Sequence, residues 1–198
     1  MMIPDIQVIE KPDWVSWEEI KQCLVESHSV NRAKGINMAH YQWPVEKIRE
    51  YIGSNGTILV ALDGTKVVGT AAISEKQGKT WYANGRYAYM CFAGVLPEYN
   101  GLGIYGELTR LREQIAIEQQ YHIWVMDTHV RNTKLQQIVM ANGYRKISYF
   151  RTSNNDHFNI VIAKWPDGCP YSKLYCIYRF CISWIIAHLC AIKRSMCR

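Results

Sequence analysis

The 198-residue sequence predicts a mixed α/β (α+β) fold: a sheet of about six to seven strands with flanking helices, followed by a C-terminal apolar helix. Three observations carry that prediction. The chain opens with a strand and then a capped helix; three β-rich runs follow, separated by turn signals; and a glycine-rich stretch, PEYNGLGIYGEL, leads from the third run into a helical pattern.

Ile6 to Glu10 reads as a short strand, and Ser16 with Glu19 forms a capping box that opens a helix over Ser16 to Ser29. The next stretch, VNRAKGINMAHYQWP, is polar and aromatic with little periodicity. Val45, Ile48 and Ile52 then share a helical face that Gly53 ends. Thr57 to Leu62 and Lys66 to Ser74 are β-rich runs around Asp63-Gly64-Thr65, which predicts an antiparallel hairpin. A third run, RYAYMCFAGVLP, follows a polar link containing Asn84-Gly85 and stops at Pro97, which cannot continue a ladder. From Gly103 the pattern is helical, with Ile104, Leu108, Leu111 and Ile115 inward and Arg110, Arg112, Glu113 and Glu118 on the other faces. YHIWVMD reads as a buried strand. VRNTKLQQIVMANG is a helix with Leu135, Ile138 and Val139 inward and Gly143 as its stop; YRKISYF and FNIVIA are two strands whose short link suits a hairpin.

This length suits one domain plus an appendage, and residues 1–165 and 166–198 are predicted to be those two parts. The second part carries Lys173, Arg179, Lys193, Arg194 and Arg198 against Asp167, a net of +4 out of a total of +6. The main domain is therefore close to neutral, which argues against a nucleic-acid surface. Seven cysteines, five of them in the last 30 residues, show no C-x-x-C spacing, so reduced thiols are expected and neither a disulfide framework nor a metal site. The stretch MMIPDIQVIEKPD has no basic segment followed by an apolar run, which predicts a cytoplasmic chain.

Gly101, Gly103 and Gly106 spell G-x-G-x-x-G, and Asp127 stands 21 residues after Gly106, as in a dinucleotide-binding fingerprint. The surroundings do not fit one. Such a unit needs its glycines directly after the first strand, with further parallel crossovers behind it, whereas here a meander precedes them. Successive N–H groups from Gly101 to Gly106 at a helix N-terminus do suit a pyrophosphate of some kind, since small residues let its oxygens approach.

The element order, with VLPEYNGLGIYGEL and DTHVRNTKLQQIVMANGYRK, resembles the GNAT superfamily of acyl-CoA-dependent N-acyltransferases over about residues 5–163. The resemblance implies an N-acyltransferase that moves an acetyl group from acetyl-CoA to an amine on a small molecule or peptide; a non-catalytic CoA-binding or interaction module of the same fold is the alternative. It implies that Asn100, Gly101, Leu102, Gly103, Ile104, Tyr105 and Gly106 hold the pyrophosphate of coenzyme A. By the same resemblance, the main chain of Val95 pairs with the pantetheine arm, and Asn132 lies near the cofactor or caps its helix. Asn100 stands where the family has Arg or Gln, Tyr105 where it has Gly or Ala, and Val139 where it often has a Tyr that protonates the departing thiolate.

Acyl transfer also needs a base for the amine. Asp127 and His129, expected just past the strand YHIWVMD, are the candidates; a histidine needs little adjustment to act near neutral pH. In this architecture Tyr41, Trp43, Trp81 and Tyr82 line the acceptor pocket. Cys91 alternates within its strand as a core residue. The tail segment Leu174 to Ile192 is apolar except for Arg179, Ser183 and His188. A central Arg disfavours a membrane span; a helix on a membrane surface, on a second subunit or on its own domain fits the pattern.

Overall fold

A computed structural model describes residues 5–36, 38–151 and 158–196, with side chains for all of these except Ala39 and residues 190–196. The described residues hold seven strands and six α-helices. The chain falls into two compact units, Met1–Lys79 with Gly85–Tyr121, and Thr80–Asn84 with His122–Arg198.

In the first unit β1 (Ile6–Glu10), β2 (Thr57–Asp63), β3 (Lys66–Lys79) and β4 (Asn84–Val95) lie side by side in that order. Ile6 pairs with Asp63 across the antiparallel β1 and β2, and Asp63 pairs with Lys66 across the Gly64-Thr65 turn. Residues 58–62 and 67–74 are buried without alternation, so helices must cover both faces. They do: α1 (Trp17–Ser27), α3 (Val45–Ile52) and α4 (Ile104–Glu118) all pack on β3. Leu59, Val68, Ala71 and Leu108 are fully buried there. Truncating a Leu in such a place costs about 2–5 kcal/mol.

The Ser16 capping box opens α1 as its spacing predicts, and Gly53, at φ 78°, ends α3. The stretch after α1 is more ordered than its weak periodicity suggests. It forms α2 (Ser29–Ala33) and a 3₁₀ turn over Ala39–Gln42, held by local backbone bonds that leave no amphipathic trace. Asn84-Gly85, read as a link, is instead the start of β4; the turn is Thr80–Ala83, where Thr80 N–H donates to Ala83 C=O at 2.8 Å. Arg112 is also corrected: it is 1% exposed, on the inner face of α4, where its guanidinium donates to Thr109 Oγ1.

In the second unit β5 (Trp124–His129), β7 (Phe158–Lys164) and β6 (Arg145–Arg151) are antiparallel neighbours in that order; Trp124 faces Lys164, and Arg145 faces Ala163. The link between β6 and β7 lies outside the described residues. Asn132 caps α5 (Thr133–Ala141), and Gly143, at φ 85°, follows it. The inward face of α5 carries Gln136 where Ile138 was expected: Gln136 is buried and donates to the carbonyls of Val130 and His129, while Ile138 is exposed. Finally α6 (Lys173–Met196) lies on β6, where Tyr149 meets the edge of Phe180 and stacks on His188 at 5.6 Å.

Candidate active site

In the first unit the chain leaves β4 at Val95, makes a 3₁₀ turn over Pro97–Tyr99 and enters α4 through Asn100 to Gly103. Gly101 and Gly103 have φ of 88° and 78°, a left-handed backbone that disfavours any side chain. Gly103 is the N-cap of α4 and offers no side chain to its N–H groups. No acceptor among the described residues reaches the N–H groups of Gly101 through Gly106. Six successive N–H groups, the last three in the first turn of a 15-residue helix, are thus without a partner among the described residues, an arrangement that suits an anion. Asn100, Gly101, Leu102, Gly103 and Gly106 are exposed, Tyr105 is half-buried, and Ile104 anchors the loop from beneath. A pyrophosphate fits this donor set. Val95 itself is buried, at the end of β4.

Just before it, β4 is kinked. Phe92 has φ 49°, rare for an aromatic residue and held only where surrounding contacts over-determine it. Its carbonyl accepts from Thr70 Oγ1 at 2.9 Å, and the next carbonyl, of Ala93, accepts from His28 Nε2 at 3.1 Å. The bond to Ala93 fixes the tautomer, leaving His28 Nδ1 to accept from Asn31 Nδ2. A Cβ on Gly94 would fall on the Ser27 side chain, so the end of α1 seats closely on this kink.

Tyr41 and Trp43 belong to an aromatic cluster around the same kink. His40 meets Tyr41 at 4.7 Å and Phe92 at 5.4 Å, Trp43 meets Tyr51 at 5.4 Å, and Tyr51 meets Tyr89 at 6.2 Å. Burial, and then the neighbouring His28, pushes His40 down to about 3; burial also lowers His28. Both imidazoles are neutral at physiological pH. Arg32, Lys47 and Lys76 cover the faces of Tyr41, Trp43 and Tyr51 at 5.7, 4.6 and 3.9 Å. Sequence reasoning missed His28, His40 and Phe92; the grouping of His40 with Tyr41 and Trp43 is a local signal for His40, whereas His28 and Phe92 are marked only by partners far along the chain.

In the second unit Asp127 and His129 lie within β5, opposite Val161 and Asn159, and not past its end as expected. Burial pushes the Asp127 carboxyl up to about 6, opposed by Asn159 Nδ2, which donates to it at 2.9 Å. Tyr82 is close enough that the Asp127 charge helps burial to raise its hydroxyl pKa, against a hydrogen bond with Thr80. His129 is 3% exposed, and its Nδ1 accepts from Arg131 N–H at 3.1 Å. Asn132 Oδ1 accepts from Leu135 N–H while its Nδ2 donates to Thr128 Oγ1. Val139 is buried and brings no acid. Trp81 turns to α6, with Tyr171 and Tyr175 at 5.4 and 5.5 Å. Of the four residues expected to line an acceptor pocket, Tyr41 and Trp43 belong to the first unit's cluster; in the second unit Trp81 and Tyr82 meet edge to face at 5.6 Å, Trp81 also packing on α6. Cys91, in the first unit, has its thiol pushed up to about 12 by burial, so it stays protonated.

The model of the acetyltransferase (GNAT) family matches residues 17–157. No curated protein matches the sequence. Among solved structures the fold is similar to an acetyltransferase from Streptococcus agalactiae, with 16% identity, 82% of this chain and 99% of that chain covered, and a TM-score of 0.63. It is also similar to the ribosomal-protein-S18-alanine N-acetyltransferase of Escherichia coli, with 10% identity, 80% and 92% covered and a TM-score of 0.61. A third is an aminoglycoside 6'-N-acetyltransferase complexed with coenzyme A, with 12% identity, 80% and 96% covered and a TM-score of 0.58.

Proposed function

The chain belongs to the acetyltransferase (GNAT) family and is an acetyl-CoA-dependent N-acetyltransferase, and from that premise we propose how its residues divide the work. The single observation that carries the proposal is the row of six open N–H groups at the start of α4. Acetyl-CoA, when bound, supplies the thioester carbonyl that an amine attacks. The loop Asn100 to Gly106 holds its pyrophosphate through those N–H groups, and the main chain of Val95 serves the pantetheine arm. Asn132 orders the start of α5 by capping it, and its second amide hydrogen remains for the cofactor.

Asp127 is the proton acceptor for the amine. A carboxylate with a pKa of about 6 is ionised at neutral pH yet more basic than an exposed one. His129 is less suited to that role, since it is buried and its Nδ1 lone pair is already used; it holds the turn after β5. Tyr82 lines the acceptor beside Asp127, and Tyr41, Trp43 and Trp81 contribute through their own clusters. The acceptor is a small-molecule or peptide amine, not nucleic acid. Residues 1–165 form the acyltransferase domain, 166–198 its appended helical tail, and the setting is the cytoplasm.

Two measurements test this reading. Acetyl-CoA at 100 times its Kd adds about 2.7 kcal/mol to stability, and the unfolding midpoint should rise while NAD leaves it unchanged. Gly103→Val should remove that rise in a protein that still unfolds cooperatively. Release of the CoA thiol across an amine panel then separates an enzyme from a binding module: a thermal shift with no turnover on any amine would leave only the module.

A further inference from the structure

The outer face of α6 is the largest unexplained feature of the molecule. Leu174, Ile177, Tyr178, Ile185, Ile186 and Leu189 are between 49% and 79% exposed. Cys176 and Ala187, on the opposite side of the helix, are buried, and His188 stacks on Phe158 at 4.8 Å. The helix is therefore apolar on two sides, one seated on β6 and the other in water. An apolar stripe of this length is larger than the single exposed hydrophobic residues that any surface tolerates.

Charge decides what covers it. From Lys173 to Met196 the helix carries Lys173, Arg179, Lys193 and Arg194 and no acidic residue; of these, Arg179 lies over the Trp81 ring at 5.2 Å. Two copies packed helix on helix would set one basic helix against another with no carboxylate on either to balance it. An anionic lipid surface complements both properties, taking the apolar side chains into its acyl boundary and the cations among its headgroups. Tyr178 and Trp184, 59% and 46% exposed, are residues that favour that boundary. Crossing the bilayer is a different matter: among the described residues no helix is long and apolar enough to do so.

We propose that the exposed face of α6 docks this chain on the surface of an anionic bilayer, the helix lying flat between β6 and the lipid. This goes beyond the acyltransfer reading and does not depend on it, since docking needs neither cofactor nor acceptor.

The test is co-flotation of the full chain, without acetyl-CoA, with phosphatidylcholine vesicles with and without phosphatidylserine, at low and high salt. Binding should require phosphatidylserine and weaken as salt rises. Ile185→Glu and Leu189→Glu should each weaken it roughly tenfold or more, since each removes an apolar contact and adds a repelled charge. Both positions are exposed, so the unfolding midpoint should hold, and it is measured alongside. Failure of the unmodified chain to float with either vesicle would overturn the proposal. So would a sedimenting dimer that Ile185→Glu dissociates while vesicle binding is absent, because the face would then be an interface between copies. Flotation that is indifferent to both substitutions would overturn it as well.

Discussion

Two buried clusters of titratable groups answer the same force in opposite ways. In the first unit burial strips His40 and His28 of charge, leaving two neutral imidazoles at the kink of β4. In the second unit burial lifts the Asp127 carboxyl to about 6, where Asn159 keeps it from rising further. Desolvation disfavours whichever form is charged, so it lowers a histidine and raises a carboxylate. As a result, the residue type with an ordinary pKa near neutrality is silent here, and the one that is ordinarily silent titrates close to neutrality. Any ranking of bases by residue type alone is inverted by packing.

The sharpest way to break this contrast is Asp127→Asn, which removes the titrating group while keeping an acceptor for Asn159. Under the proposed mechanism kcat/KM should fall by roughly 10²- to 10⁴-fold, and the unmodified enzyme should lose activity as pH drops through about 6. A pH profile whose acid limb persists in the variant would reassign the base. The same substitution should also stabilise the fold at neutral pH. A carboxyl raised from 3.8 to about 6 binds protons in the native state that the unfolded chain has already released, so stability falls as pH rises through that window and stays lower above it. Relief of that penalty is worth up to about 3 kcal/mol at pH 7, read as a rise in the unfolding midpoint. Lost activity with gained stability is the pattern that marks a functional group.

On the first-unit side, His28→Ala should cost about 1–3 kcal/mol at pH 7, because it leaves the Ala93 carbonyl without its donor beside a strained Phe92. Chemical denaturation measures it. A change below about 0.5 kcal/mol would mean that Thr70 alone maintains the kink.

The limits of sequence reading follow the same line. Signals that act within a few residues were legible: Ser16 with Glu19, Gly53 after α3, Asp63-Gly64 in the hairpin and Asn132 with Gly143 around α5. The glycine loop belongs with them, since its chemistry is carried by its own backbone. What stayed hidden depends on partners far along the chain. His28 acquires its role from Ala93, 65 positions away, and Asp127 its pKa from the packing around it and from Asn159, 32 positions away. Arg112 was placed on an outer face because arginine is ordinarily solvated, and Gln136 was overlooked because its burial depends on two carbonyls after β5. Even the period of α6 told only that it was apolar; which face met β6 and which met water needed the fold.

The smallest expected effect at neutral pH is also the most discriminating. His40 Nε2 is buried without a hydrogen-bond partner, so His40→Phe removes an unsatisfied polar atom and keeps an aromatic ring against Tyr41 and Phe92. At pH 7 stability should change by about 1 kcal/mol or less. Acid reveals the difference. With its pKa lowered from 6.5 to about 3, His40 stays neutral in the native state while the unfolded chain takes up a proton, so stability is lost as pH falls below 6.5. At pH 5 that loss is about 2 kcal/mol, and the phenylalanine variant should not suffer it. Between pH 4 and 6 the two clusters pull the stability curve in opposite directions, Asp127 favouring acid and His40 opposing it. Removing either group should tilt the curve, towards the alkaline side in Asp127→Asn and towards the acid side in His40→Phe. If both variants instead keep the parent slope, neither group is as buried in solution as its surroundings indicate, and the contrast between the units dissolves.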